Sequence, residues 1–229
     1  MINEAINFST IEMLIHSMPL HAIMKDAKSG KCLDINQSHL SVYGFSKPSD
    51  MQGNTVWDVN NFMSQMWLDN ARQVEQFDAE ILHTRKPLIK PMRIWLNSRG
   101  QVWAHYMSKV PIIGSNGNVI GILGTSQDLT NTLTLSELYQ QYCNFYIDRK
   151  NAIKLFLGHI NMSQFFHTLP SHAETMVLIS KKTLLTNKAI AHYLKISEGT
   201  VENHINHLCD KLYSRPTQLK QLLENMDII

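Results

Sequence analysis

One stretch, Thr186 to Leu212 (TNKAIAHYLKISEGTVENHINHLCDKL), constrains this chain more than any other. It reads as two helices joined by a very short turn. Ile190, Ala191 and Leu194 recur at helical spacing and give the first helix an apolar stripe. Lys195 and Ile196 form the turn, and Ser197 stands where an N-cap hydroxyl accepts from the next helix's free amides. Val201, Ile205, Leu208 and Leu212 then define one narrow buried face. The opposite face holds Gly199, Glu202, Asn203, Asn206 and Asp210, with His207 beside it. Short polar side chains near the N-terminus of an outward helix face suit the major groove of DNA.

These residues carry a resemblance. The segment resembles the LuxR/FixJ-type (GerE-like) helix-turn-helix of bacterial transcription regulators, whose pattern runs N-K-x-I-A-x-x-L-x-I-S-x-x-T-V-x-x-H-x-x-x-L/I-x-x-K-L. Asn187, Lys188, Ile190, Ala191, Leu194, Ile196, Ser197, Thr200, Val201, His204, Leu208, Lys211 and Leu212 match it in register. Leu169 to Ile179 resembles the family's first helix, but Leu184 and Leu185 replace the Gly usual before the Asn-Lys pair. The resemblance implies an all-α, four-helix domain that contacts double-stranded DNA through Lys188, Thr200, Glu202, Asn203, His204, Asn206 and Lys211, its helix from Glu198 to Tyr213 in the major groove. Glu202, Asn203 and Asn206 occupy the positions from which the family reaches bases or phosphates. Glu202 departs from the basic residue frequent there; a carboxylate can accept from cytosine's amino group, and an Asn can pair with adenine. Lys188, His204 and Lys211 suit phosphate contact or internal packing.

Charge sets a limit on affinity. Residues 166–229 carry seven Lys/Arg against six acids. Phosphate neutralisation supplies most non-specific affinity, so one such domain binds weakly and two held together bind more tightly. A homodimer is therefore expected. A stripe of Leu219, Leu222, Leu223 and Met226 on a last helix, Thr217 to Met226, suits dimer contact, as in the family, or packing on its own domain.

The first 130 residues read as a mixed domain built on tight turns. Lys28-Ser29-Gly30, Asn97-Ser98-Arg99-Gly100 and Ser115-Asn116-Gly117-Asn118 each separate apolar runs, and Asn-Gly is the strongest short hairpin signal. Helical spacing spans Asn60 to His83. Two strands, several helices and three strands predict an α+β domain whose helices cover one face of a single antiparallel sheet. In order, Met24-Lys25-Asp26, Ser29-Gly30-Lys31, Asp34-Ile35-Asn36, Gly44-Phe45-Ser46, Gly53 to Asp58, Gly117 to Ile122 and Asp128-Leu129-Thr130 resemble a PAS domain over residues 10 to 130. That resemblance implies a five-stranded sheet with covering helices, a sensory role, and a small molecule held between sheet and helix. Thr130 to Ile160 reads as a long helix broken near Gly158, with Leu135, Leu138, Tyr142 and Phe145 spaced like the start of a coiled-coil seam. The expected division is 1–130, a helical linker over 131–164, and 165–229.

The ligand is not named by the sequence. Val56 to Met63 lacks the Cys of the flavin-binding light sensors. Alternation puts Trp103, His105 and Met107 on one sheet face, where His105 either ligates haem, which is not favoured, or is a satisfied sheet histidine. Trp57, Trp67, Trp95 and Trp103 build either an adaptable apolar pocket or plain core; Trp57, Trp103, His105 and Met107 are the candidate ligand contacts, for an apolar or planar molecule. His204 and His207, one turn apart, read as packing and phosphate contact, not a metal site. No Walker loop, dinucleotide Gly motif, H-E-x-x-H or nucleophile elbow occurs, which argues against an enzyme. Cys32, Cys143 and Cys209 are odd in number and scattered, no apolar run is long enough to span a bilayer, and the N-terminus lacks a secretory pattern, so a cytoplasmic protein is expected. The expected function is transcription regulation through DNA; the alternative is a regulator that dimerises with or sequesters another factor.

Overall fold

The computed structural model describes residues 8–184, 186–213, 219, 222–224 and 226, apart from the side chains of 64–66. The chain divides into two units, Met1–Leu129 and Thr130–Ile229.

In the first unit, glycine-bearing turns build the sheet. Strand β1 (His21–Asp26) returns through Gly30, at φ +67°, into β2 (Cys32–Ile35). Strand β3 (Leu88–Leu96) turns into β4 (Val102–Ile113), and β4 turns at Gly117, φ +77°, into β5 (Val119–Asp128). A Cβ disfavours that left-handed backbone, which is why these hairpins form where Gly stands. The five strands form one antiparallel sheet, as the turn pattern predicts, in the order β2-β1-β5-β4-β3. In β3, Lys90 pairs with Met107 and Arg93 with His105, so a bulge at Met92 and Pro91 adds one residue to this edge strand.

Helices α2 (Gln37–Tyr43), α3 (Val56–Trp67) and α4 (Asn70–Thr84) connect the first hairpin to the second. Leu40, Val59, Met63 and Trp67 bury against Ile23, Cys32 and Ile35 of the sheet. The continuous helix expected over Asn60 to His83 is broken at Leu68, which takes φ +48°. The break lets two apolar stripes face different parts of the sheet, Ile81 of α4 packing instead with Leu88, Met107 and Ile122. A second correction concerns the sheet's other face. Helix α1 (Phe8–Ser17) lays Ile11 and Ile15 on Ala22 and Met24, so β1 is buried on both faces and the helices do not lie on one side alone.

Asn36 locks this arrangement. Its Oδ1 accepts from His39 N at 3.0 Å, capping α2, and from Ala22 N at 3.1 Å. Its Nδ2 donates to Ile15 O at 3.2 Å and Leu20 O at 2.6 Å. Asn36→Ala strands these buried backbone groups and should lower the unit's stability by roughly 2–4 kcal/mol in urea unfolding.

The second unit is helical. The stretch read as one long helix is two, α5 (Leu135–Phe145) and α6 (Arg149–His159). The chain leaves helical geometry at Tyr146, and the Asp148 side chain accepts from Lys150 N at 3.0 Å to restart it, so Gly158 lies inside α6 and is not the break. The coiled-coil seam closes on its own unit: Tyr142 and Tyr139 pack on Phe156, and their hydroxyls meet His159 and His172, both at 2.7 Å. Helix α7 (His172–Thr183) starts at a capping box between Ser171 and Glu174, followed by α8 (Asn187–Leu194) and α9 (Glu198–Asp210). Leu185 and most of the expected last helix lie outside the described residues; Leu222 to Glu224 are helical. Among the described residues no helix is long and apolar enough to cross a membrane.

Candidate functional site

The α8–α9 turn is short because Lys195 adopts a left-handed φ of +57° and its N–H closes onto Ala191 and His192 carbonyls. Two residues later Ser197 Oγ accepts from Thr200 N at 3.1 Å and starts α9. Val201, Leu208 and Leu212 are buried and anchor α9. Ile205 is only half-buried, contrary to the expected stripe, because it lies about 40° around the helix from Val201, at the stripe's edge.

The site residues expected from sequence separate into two groups. Glu202, Asn203 and Asn206 are exposed on the outer face of α9, and Lys188 is exposed on α8. The other three turn to internal work. The Thr200 hydroxyl bonds Ser197 Oγ at 2.8 Å within the cap. Lys211 Nζ reaches the buried Glu174 carboxylate at 2.6 Å, where Ser171 N also donates at 2.6 Å. Burial raises the Glu174 pKa, but Lys211 and Ser171 outweigh it and hold it below the ordinary value. His204 is half-buried with an unpaired Nδ1. Glu174, His204 and His207 bring ligand atoms within 4.8 Å of one another, yet the Lys211 ammonium already occupies the carboxylate a metal would need. Of the C-terminal stripe, Leu222 and Met226 are fully buried, so packing within the protomer accounts for those two, while Leu219 and Leu223 are partly exposed. Lys182 Nζ donates to Leu223 O at 2.9 Å and holds this segment on α7.

The first unit encloses a cavity of about 70 Å³ between the sheet and helices α2 to α4. Trp103, His105 and Met107 line it, as β-alternation predicts, and one further step of two reaches Lys109. Trp67 and Trp95 line it too. Trp57 does not: it is 43% exposed and its Nε1 donates to Glu75 at 3.0 Å. The wall is mostly apolar, as expected, but Lys25, His39, Arg93 and Lys109 share it. A cavity of about 150 Å³ admits benzene, so this one as it stands holds only a few heavy atoms.

Buried electrostatics dominate the wall. Asp78 of α4 accepts from Lys25 Nζ at 2.9 Å and from Lys109 Nζ. Burial raises the Asp78 pKa, but the two lysines outweigh it and hold the carboxyl below its ordinary value. Burial and then Lys25 push Lys109 down to about 7, against the pull of Asp78. His105 stacks on Trp103 with centroids 3.7 Å apart, and burial, then Arg93, push it down to about 3. His39 is held well below its ordinary value by burial and then by His21. These charged residues were missed in the sequence because Lys25, Arg93 and Lys109 look like ordinary surface cations; the signal was their position on the inward parity of apolar strands.

Two family models match the chain. The one described as PAS fold matches residues 16–133, and the one described as bacterial regulatory proteins, luxR family, matches 174–216. No curated protein matches. Among solved structures, the chain is similar to a phage VqmA–DPO complex at 19% identity and TM-score 0.50, covering 95% of this chain and 87% of that one. It is also similar to a Vibrio cholera VqmA–ligand–DNA complex at 22% identity and TM-score 0.47, covering 96% and 88%. A third is the PAS domain of Bordetella pertussis BvgS, at 21% identity and TM-score 0.47, covering 60% and 94%.

Proposed function

The chain belongs to the PAS-fold family and carries a C-terminal luxR-family domain, and from that premise we propose a cytoplasmic, non-enzymatic transcription regulator that reads DNA through α9 under control of a ligand in its PAS unit. The observation that carries this reading is the capped α9, whose exposed Glu202, Asn203 and Asn206 stand opposite its buried anchor. Glu202 and the two Asn read base edges; Lys188 holds phosphate. The functional division is a sensory unit to residue 130, a helical connection over 131–164 and a DNA-reading domain over 165–229. Three free thiols, Cys32, Cys143 and Cys209, suit a reducing compartment.

The protein acts as a homodimer, which offsets the weak charge balance of one reading domain. Leu219 and Leu223 remain available for that contact, and so does an apolar groove between α1 and strands β4 and β5 that exposes Met13, Leu14 and Ile113.

Gel shifts against genomic fragments at moderate salt, with sedimentation of the free and bound protein, test this. Asn203→Ala should lower affinity for the selected fragments by roughly 1–3 kcal/mol and leave unrelated DNA unchanged, whereas Lys188→Ala should weaken all DNA alike. A protein that selects no fragment would return weight to the second reading, a regulator acting by protein contact, which the acidic Glu202 favours.

A further inference from the structure

The cavity wall of the PAS unit has an unbalanced charge. Three basic side chains line it, Lys25, Arg93 and the partly charged Lys109, and among the described residues no carboxylate does. Asp78 behind the wall neutralises one lysine's worth of charge and is shared between two. Arg93 has no carboxylate partner among the described residues; its guanidinium donates to Asn70 Oδ1 at 2.8 Å and to the Met107 sulfur at 3.6 Å. It otherwise lies over the Phe77 and Trp95 rings, 5.0 and 5.6 Å from their centroids. Arg93 is half-buried, and a guanidinium so placed without an anion is poorly compensated.

Hydrogen bonding is unbalanced at the same place. Trp103 Nε1, His39 Nδ1 and His105 Nδ1 are buried without partners, and all three residues line the cavity. An indole N–H can only donate, so what completes it is an acceptor. His39 Nε2 is already engaged with the Tyr43 hydroxyl at 3.0 Å, and His105 pairs across the sheet with Arg93. One obligate donor, two imidazole nitrogens and the Arg93 guanidinium thus belong to residues that border a space admitting only a few heavy atoms.

Resting on the reading of this unit as a ligand sensor, we propose that its ligand is a small monocarboxylate anion, with Arg93 as the carboxylate's partner and Trp103 Nε1 as a further donor. A carboxylate offers two acceptor oxygens to the planar guanidinium fork and supplies the missing negative charge. The two lysines, held by Asp78, stand behind it, and apolar side chains such as Trp67 and Val59 line the rest of the space.

The test uses the full chain. Formate, acetate, propionate, lactate and pyruvate are compared with acetamide and propionamide, at ionic strength matched with chloride. Thermal unfolding and tryptophan fluorescence report binding, and titration calorimetry gives stoichiometry. One or more carboxylates should bind saturably, one per protomer, with the neutral amides failing. Arg93→Met should weaken that binding by roughly tenfold to a hundredfold, and Trp103→Phe, which keeps a ring and removes the N–H, by a smaller factor. If Arg93→Met does not fold, Trp103→Phe and Arg93→Lys carry the comparison. Absence of saturable binding by every carboxylate, or equal binding by the amides, overturns the proposal. Gel shifts on the same preparation separate this from the regulator reading, since selective DNA binding without carboxylate binding sinks only the ligand class.

Discussion

Replacing Asp78 with alanine should destabilise the first unit by about 3–5 kcal/mol, a large share of a small domain's total stability. The two lysines it serves have side chains only 10% and 7% exposed, so neither can turn to water when the carboxylate is lost. Lys25 comes from β1, Lys109 from β4, and β5 runs between them, so Asp78 is a single clasp from α4 onto three adjacent strands. Urea unfolding of the variant should show the loss, with the midpoint moving and the slope unchanged. The contrast that isolates charge from shape is the triple replacement Asp78→Leu, Lys25→Met, Lys109→Met, which should recover most of the stability because apolar groups of similar volume replace a buried ionic set nearly neutrally. A loss under about 1 kcal/mol for Asp78→Ala, the value typical of an exposed ion pair, would mean that the lysines reach solvent.

The second large effect is acid sensitivity. His39 and His105 are buried and held neutral, His105 down to about 3. Unfolding frees both to protonate near 6.5. Below that pH the unfolded chain binds protons that the folded unit refuses, so stability is fully present above 6.5 and falls as pH drops toward the folded values. The slope from His105 approaches about 1.4 kcal/mol per pH unit, so going from pH 6.5 to 5 should remove roughly 1.6 kcal/mol through His105, with His39 adding to the loss in the same direction. Asp78 acts in a separate window: its depressed carboxyl stabilises above its unfolded pKa near 3.8 and loses that contribution only at lower pH. Chemical denaturation at pH 7, 6 and 5 measures the slope, and His105→Gln should roughly halve it. A flat profile over that range would show that water reaches both rings.

Much of this architecture was legible from local chemistry. Hairpins were readable because Gly30, Gly100 and Gly117 sit where the backbone requires positive φ. The α8–α9 pair was readable because a cap (Ser197) and an anchor (Val201, Leu208) both have periodic or positional signatures. Helix interruptions at Leu68 and Tyr146 were not, since neither carries Gly or Pro and each follows from tertiary packing of the flanking stripes. The α9 face could be drawn from 3.6-residue spacing, but the withdrawal of Lys211 from it depends on Glu174, distant in sequence. In the cavity, β4 alternation marked Trp103, His105 and Met107, whereas Trp57 failed because helix α3 turns its ring outward to Glu75. Asp78 gave no signal alone; its meaning lies in two lysines from strands far apart in the chain.

The extra residue in β3 decides the chemistry of the whole interior. Because Lys90 sits opposite Met107 and Arg93 opposite His105, the inserted residue switches parity between them, sending Arg93 inward and leaving Met92 46% exposed. Deleting Pro91 would remove the irregularity and leave Met92 alone opposite Tyr106, with Lys90 and Arg93 both still inward, whereas an unbulged strand that kept all four residues would bury Met92 and expose Arg93. The guanidinium thus owes its place in the chamber to a kink in the backbone, and the same side chains on a straight ribbon would have turned it out to solvent.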